Sequence, residues 1–131
     1  MFLLAACGDD SPEARAPDYQ VLEIVSETAA GGTVSPDLTP LPGPDELAGF
    51  TEQFESTAFR EEIATAVQEH EPREGYVVGA AVVAIGCDVP PGVSVEADGD
   101  GFTVEADEVA DPLPECFAPV TSVAVIQVRD S

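Results

Sequence analysis

The most regular alternation of apolar and polar residues lies in the last third of the chain. Apolar side chains alternate with polar ones over 93–98, and the alternation returns over 102–107 after a turn built from Asp and Gly. A period of two around an Asp-Gly turn predicts a β-hairpin. Two longer runs, 76–86 and 120–128, are apolar at nearly every position, which predicts central strands covered on both faces. Residues 19–25 are rich in β-branched and aromatic side chains and predict a first strand.

Helical periodicity runs from residue 45 to residue 70, but its phase changes once. The apolar residues of 45–55 fall on one face of a helical wheel. Those of 57–70 are rotated by roughly 150–180° on the same wheel, which is too far for one straight amphipathic helix. We place the break at Ser56 and Thr57, because both residue types are good N-caps. The pattern therefore predicts two short helices, 45–55 and 57–70.

The segment between the first strand and the first helix is interrupted by glycines and prolines and predicts no regular element. Its apolar members, Val34, Leu38 and Leu41, predict that it packs over the domain. Together these elements predict an α+β fold: a mostly antiparallel sheet of four to five strands, with two short helices packed on one face.

The charge of the chain narrows the possible partners. There are 26 Asp and Glu residues against four Arg and no Lys, so the formal net charge is −22. Nucleic-acid binding needs a basic surface, which four scattered Arg cannot form, so we expect no nucleic-acid partner. The field favours a protein partner that presents a basic patch. The apolar fraction of 44% is enough to build one core, so acidity does not imply disorder.

The first residues resemble the signature of bacterial lipoproteins. Leu4-Ala5-Ala6-Cys7 has the aliphatic and small residues that precede the lipid-accepting Cys in a lipobox. The absence of Lys and Asn indicates a GC-rich genome, and the chain is similar to small surface lipoproteins of actinobacterial type. This resemblance implies export, cleavage before Cys7, and anchoring by acyl chains on the extracytoplasmic face of the cell membrane. An accidental match at the start of an ordinary soluble chain is the alternative.

The resemblance also divides the chain. Only six residues precede Cys7 and none is basic, which is shorter than a full signal peptide. We interpret residues 1–6 as the remnant of a truncated signal, residues 7–18 as a lipidated polar tether, and residues 19–130 as a single α+β domain. The polar tether has no hydrophobic periodicity.

The cysteine count is consistent with this division. Three Cys is an odd number for an exported chain, but lipidation of Cys7 would leave Cys87 and Cys116 as a pair. We expect one disulfide between them, in an oxidising compartment. Two unpaired buried thiols are the alternative. The separation of the pair excludes a C-x-x-C metal or redox motif.

One acidic constellation has calcium-ligand spacing. Glu96, Asp98, Asp100 and Asp107, with Gly101 among them, resemble the ligand positions of an EF-hand loop. However, the first position holds Glu and the last holds Asp, the reverse of an EF-hand loop, and the flanking residues predict strands where an EF-hand has helices. A hairpin turn with solvated acids is the simpler interpretation, and binding of calcium or another cation is the alternative.

Catalytic groups are poorly supported by the sequence. The one His, His70, stands at a helix end beside two Glu and predicts a capping role. No G-x-S-x-G motif occurs, and among 26 acids the spacing of a carboxylate pair excludes nothing. We expect no catalytic residue and no cofactor. The sequence favours a non-catalytic, membrane-anchored interaction module, with a cation-binding surface domain and an enzyme using acidic residues as alternatives.

Overall fold

The computed structural model describes residues 18–130 and confirms the α+β fold class. The elements in chain order are β1 (Tyr19–Thr28), β2 (Thr39–Pro40), α1 (Pro44–Thr51), α2 (Thr57–Glu69), β3 (Tyr76–Gly86), β4 (Val93–Asp98), β5 (Gly101–Ala106) and β6 (Val120–Arg129). Between residues 18 and 130, neither helix has the length and apolarity needed to cross a bilayer.

The main sheet has four antiparallel strands in the order β1-β6-β3-β2. β3 and β6 are its central strands, as their unbroken apolar runs predicted. Every residue of β6 from Thr121 to Val128 is buried. A strand that is buried on both faces requires a cover on each side of the sheet, and the rest of the chain supplies the two covers.

The helices cover one face of this sheet. Phe54 packs edge-to-face against Phe50 and Phe59, with ring centroids 5.7 Å and 5.0 Å apart. The predicted break between the helices is confirmed, because Ser56 is the N-cap of α2 and its hydroxyl accepts a hydrogen bond from the Phe59 amide at 3.1 Å. α1 ends at Thr51, earlier than predicted, and Phe54 instead forms an isolated bridge with Gly31.

The β4–β5 hairpin covers the opposite face as a separate two-stranded sheet. Its inward-facing Val95 and Val104 belong to one buried cluster with Ala124 and Ile126 of β6. The alternation in the sequence predicted the hairpin correctly. It did not indicate that the hairpin would pack against the main sheet. Alternation shows that one face of a hairpin is buried, but it does not show which element that face packs against.

The segment 35–41 joins the two sheets at a corner. The amides of Ser35 and Leu41 donate to carbonyl oxygens of β3, whereas the amide of Leu38 and the carbonyl of Pro36 bond to β5. Leu38 and Leu41 are buried, as predicted. Two predictions for the connection between β1 and α1 are wrong: it contains the short strand β2, and Val34 is 48% exposed and does not pack over the domain.

Gly79 of β3 lies close against β2 and the residue before it. A Cβ atom at this position would lie 2.9 Å from the carbonyl oxygen of Thr39 and 3.0 Å from Cγ of Leu38. Gly86 lies on the same strand, where an added Cβ would meet nothing within 4 Å. We therefore expect Gly79→Ala to lower the free energy of unfolding by about 1–3 kcal/mol through overpacking. Gly86→Ala should change it by less than about 0.5 kcal/mol.

Urea unfolding of the two variants and the parent chain measures this difference. Equal stability of the Gly79→Ala and Gly86→Ala proteins would contradict the close approach of β2 to β3.

Candidate interaction surface at the disulfide end

The antiparallel register gives the main sheet two distinct ends. Tyr19 of β1 and Val77 of β3 both lie opposite Val128 of β6 at one end. Thr28 of β1 and Gly86 of β3 both lie opposite Val120 at the other. We name the first the proximal end, because the described chain enters β1 there, and the second the disulfide end. The ten residues of β1 separate the two ends by about 30 Å at the usual rise of an extended strand.

The predicted disulfide is present and lies at this second end. Cys87 follows β3 directly, Cys116 precedes β6, and their Cα atoms are 5.5 Å apart. The two residues are 29 positions apart in sequence. In the chain-entropy description, closing a loop of that length stabilises the fold by about 3–4 kcal/mol. The bridge therefore ties the ends of the two central strands together.

The bridge also fixes the long loop between β5 and β6. Residues 107–119 form no helix or strand. Besides the disulfide, the Leu113 amide donates to a carboxylate oxygen of Asp88 at 2.9 Å, and the Pro119 carbonyl accepts from the Ala29 amide at 2.8 Å. These three links hold the loop beside the ends of β1 and β3 although it has no secondary structure.

Large apolar side chains are exposed around the disulfide. Phe117 is fully exposed, and Leu113 and Val89 are 56% and 49% exposed. Ile85, two residues before Cys87, is 36% exposed. We name these four residues the apolar tip. Within residues 18–130, the other large apolar side chains that are exposed are Tyr19 at the proximal end and Val34. Each of the four residues of the apolar tip lies within three sequence positions of Cys87 or Cys116. Exposed apolar residues concentrated at one end of a domain are typical of interaction surfaces, whereas scattered ones are not.

The surroundings of the apolar tip are acidic. The two segments that flank the disulfide cysteines, 86–92 and 107–119, include five Asp and Glu and no Arg, Lys or His. Asp88 and Glu115 are direct sequence neighbours of the disulfide cysteines, and Glu108 and Asp111 lie in the same loop. The arrangement is an apolar centre with a negatively charged rim, which complements an apolar recess bordered by basic side chains.

The hairpin acids predicted as weak cation ligands are not brought together. Asp98 lies at the turn, opposite Gly101, and Glu96 lies opposite Thr103. Asp107 lies beyond the other end of β5, where its carboxylate accepts a hydrogen bond from the Ser94 hydroxyl at 3.0 Å. Asp100 belongs to the turn itself. Over residues 18–130, no group of three or more His, Cys, Asp or Glu is placed to hold a metal ion.

Two further predicted positions have different outcomes. Cys7, the predicted lipidation site, lies outside the described residues, as do the predicted signal remnant and nearly all of the predicted tether. His70 is the C-cap residue of α2, at the helix end where the sequence placed it. Its Nε2 atom is 3.3 Å from a carboxylate oxygen of Glu23 on β1, a contact across 47 positions that no local pattern indicates.

The apolar tip was not predicted from the sequence. Val89, Leu113 and Phe117 occur singly in segments that contain Pro, Asp and Glu residues, and Ile85 belongs to an apolar strand, so no periodicity distinguishes the four. The one available signal was a Leu and a Phe in an acidic, proline-containing loop beside a paired Cys. No protein-family model, curated protein or solved structure matches this chain.

Proposed function

We propose that this protein is a non-catalytic lipoprotein, anchored through Cys7 on the extracytoplasmic face of the bacterial cell membrane, whose disulfide end docks a partner protein. The observation that carries the docking part is the position of the apolar tip. Fixed, exposed apolar residues lie at the opposite end of the sheet from the point where the chain enters β1. The lipobox resemblance carries the anchoring part.

The proposed anchor and the proposed docking surface lie toward opposite ends of the domain. Residues 8–17 lie between Cys7 and the first described residue, Asp18, so they span at most about 35 Å when fully extended. An anchor on Cys7 keeps the proximal end nearer the bilayer and leaves the disulfide end pointing outward. The acidic surface would keep the domain itself off anionic lipid headgroups, which repel it.

The apolar tip defines the chemistry of the partner. Phe117 would contribute most of the affinity, because burial of a fully exposed aromatic side chain removes a large apolar area from water. The acids around it would steer a basic surface toward the tip and set the rate of association. We therefore propose a partner with an apolar recess bordered by Arg or Lys.

The disulfide supports such a role by holding the loop before binding. A loop that is already ordered loses less conformational entropy when it docks. The bridge is also compatible with an oxidising location outside the cytoplasm.

Metabolic labelling with a fatty acid tests the anchor. The parent chain with its native leader should incorporate the label, and Cys7→Ser should not, because the thiol is the acylated group. Cys87→Ser with Cys116→Ser is the matched control and should still be labelled. Label in the Cys7→Ser protein, or in neither protein, would contradict anchoring at this residue.

Photo-crosslinking in intact cells of the source organism tests the docking surface. A photoreactive phenylalanine analogue at position 117 or 113 should give the same discrete product, formed with a protein that bears a basic surface. The matched control at Tyr19, an exposed aromatic residue at the proximal end, should not give that product. Added salt should reduce the yield, since it screens the attraction between the charged rims.

Absence of a product at positions 117 and 113 would overturn the proposed docking surface. The same product at Tyr19 would also overturn it, because contact would then not depend on the disulfide end.

A further inference from the structure

A groove of about 740 Å³ lies at the proximal end, away from the apolar tip. It runs between the beginning of α1 and the end of α2, over the first residues of β3. Its apolar lining residues are Leu41, Leu47, Val67, Tyr76, Val77 and Val78, together with three prolines. The volume is in the range of pockets that bind small organic molecules, about 300–1,000 Å³.

The groove exists because the sheet is incomplete on this side. β2 has two residues, which pair with Gly79 and Ala80 only. The Leu41 amide donates to the Val78 carbonyl at 2.8 Å, and Pro42, Gly43 and Pro44 then lead the chain into α1. No β2 residue is therefore paired with the first residues of β3, where the groove lies.

The wall formed by the connection between α2 and β3 is held in place. The Arg73 amide donates to the side-chain oxygen of Gln127 at 3.1 Å, and Gln127 is itself 5% exposed. The Asp130 amide donates to the Gly75 carbonyl at 2.7 Å. Together with the His70–Glu23 contact, these bonds fix the connection to β1 and β6, so the groove is formed before any ligand arrives.

The rim of the groove is negatively charged. Glu69, Glu71 and Asp130 line it, together with His70, and no Arg or Lys is among its lining residues. Two guanidinium groups, those of Arg73 and Arg129, lie 6.0 Å and 5.1 Å from the centre of the Tyr76 ring. These cations offset the negative charge at the Tyr76 side, so a bound cation is favoured at the side of Glu69 and Glu71.

We propose that this groove binds a small organic cation that has an apolar body and one amine. The apolar body lies on the side chains of Leu47, Val67 and Val77, and the ammonium group lies beside Glu69 and Glu71. Acidic residues alone would not define a site, because the whole surface of this protein is acidic and attracts cations. The apolar floor is what distinguishes this site from the rest of the surface. The proposal does not depend on lipid anchoring or on the apolar tip.

Nuclear magnetic resonance titration of the full 131-residue chain tests the proposal. The probe is phenylbutylamine, compared with phenylbutyrate, which has the same apolar body and the opposite charge, and with butylamine, which lacks the ring. Phenylbutylamine should produce saturable shifts in the amides that line the groove. Phenylbutyrate and butylamine should each bind at least about tenfold more weakly.

Paired charge variants separate the site from general attraction. Glu69→Gln with Glu71→Gln should weaken phenylbutylamine binding about three- to tenfold, the loss expected for two exposed charge contacts. Glu96→Gln with Glu105→Gln changes the net charge equally, on the outer face of the hairpin, and should leave binding unchanged. Leu47→Trp should abolish binding by filling the groove. If that variant does not fold, the comparison of the two double Glu→Gln variants still tests the proposal.

Three results would overturn the proposal. Equal binding of phenylbutyrate would show that apolar contact alone attracts ligands to the groove. Shifts spread over the hairpin acids without saturation would show unspecific attraction to the acidic surface. Equal weakening by both charge variants would show that the groove carboxylates have no special role.

Discussion

The burial of β6 on both faces is the constraint on which the rest of the structure depends. Eight consecutive residues, Thr121 to Val128, are buried, and each fully buried Val or Ile side chain contributes about 1.5–3 kcal/mol. The three polar residues among them have partners. The Thr121 hydroxyl donates to the Gly31 carbonyl, the Ser122 hydroxyl bonds to that of Ser26, and the Gln127 side chain bonds to Gln20. Because both faces must be covered, the helices occupy one side and the hairpin the other.

The same constraint determines where the charge lies. No acid occurs between Tyr76 and Gly86 or between Val120 and Arg129, because a buried carboxylate without a partner would destabilise these strands. The acids are therefore confined to the helices, the hairpin, the loops and the edge strand. The large negative charge is a surface coat around an ordinary apolar sheet. Within this coat, the apolar tip and the proximal groove are two apolar interruptions, at opposite ends of the sheet.

Features with a local physical cause could be predicted from the sequence. The helix break at Ser56, the hairpin around Asp98 and the central strands each depend on periodicity or capping within a short segment. The disulfide followed from cysteine parity once Cys7 was assigned to lipid. Features that depend on distant contacts were not predictable. β2 is two residues long and ends in Pro40, so it exists only because β3 lies beside it.

The candidate sites were the least predictable part for the same reason. The exposure of Phe117 depends on how the disulfide holds its loop, and the groove depends on where β2 ends. The spacing of Asp107 resembled a ligand position, but strand pairing places it at the opposite end of the hairpin from Asp98. Alternate residues of a strand share a face, but the distance between two residues grows by about 3.3 Å for each position that separates them. Residues with ligand-like spacing on a strand are therefore too far apart to bind one ion.

One continuous sheet, with central strands buried on both faces, rigidly joins the proximal end to the disulfide end. Native-state hydrogen exchange of the β3 and β6 amides tests it most directly. Protected amides near Val78 and Gln127 at the proximal end and near Ile85 and Thr121 at the disulfide end should open with free energies that agree within about 1 kcal/mol and match global unfolding. Much easier opening of the central strands at one end would contradict the claim, because the two ends would then unfold independently.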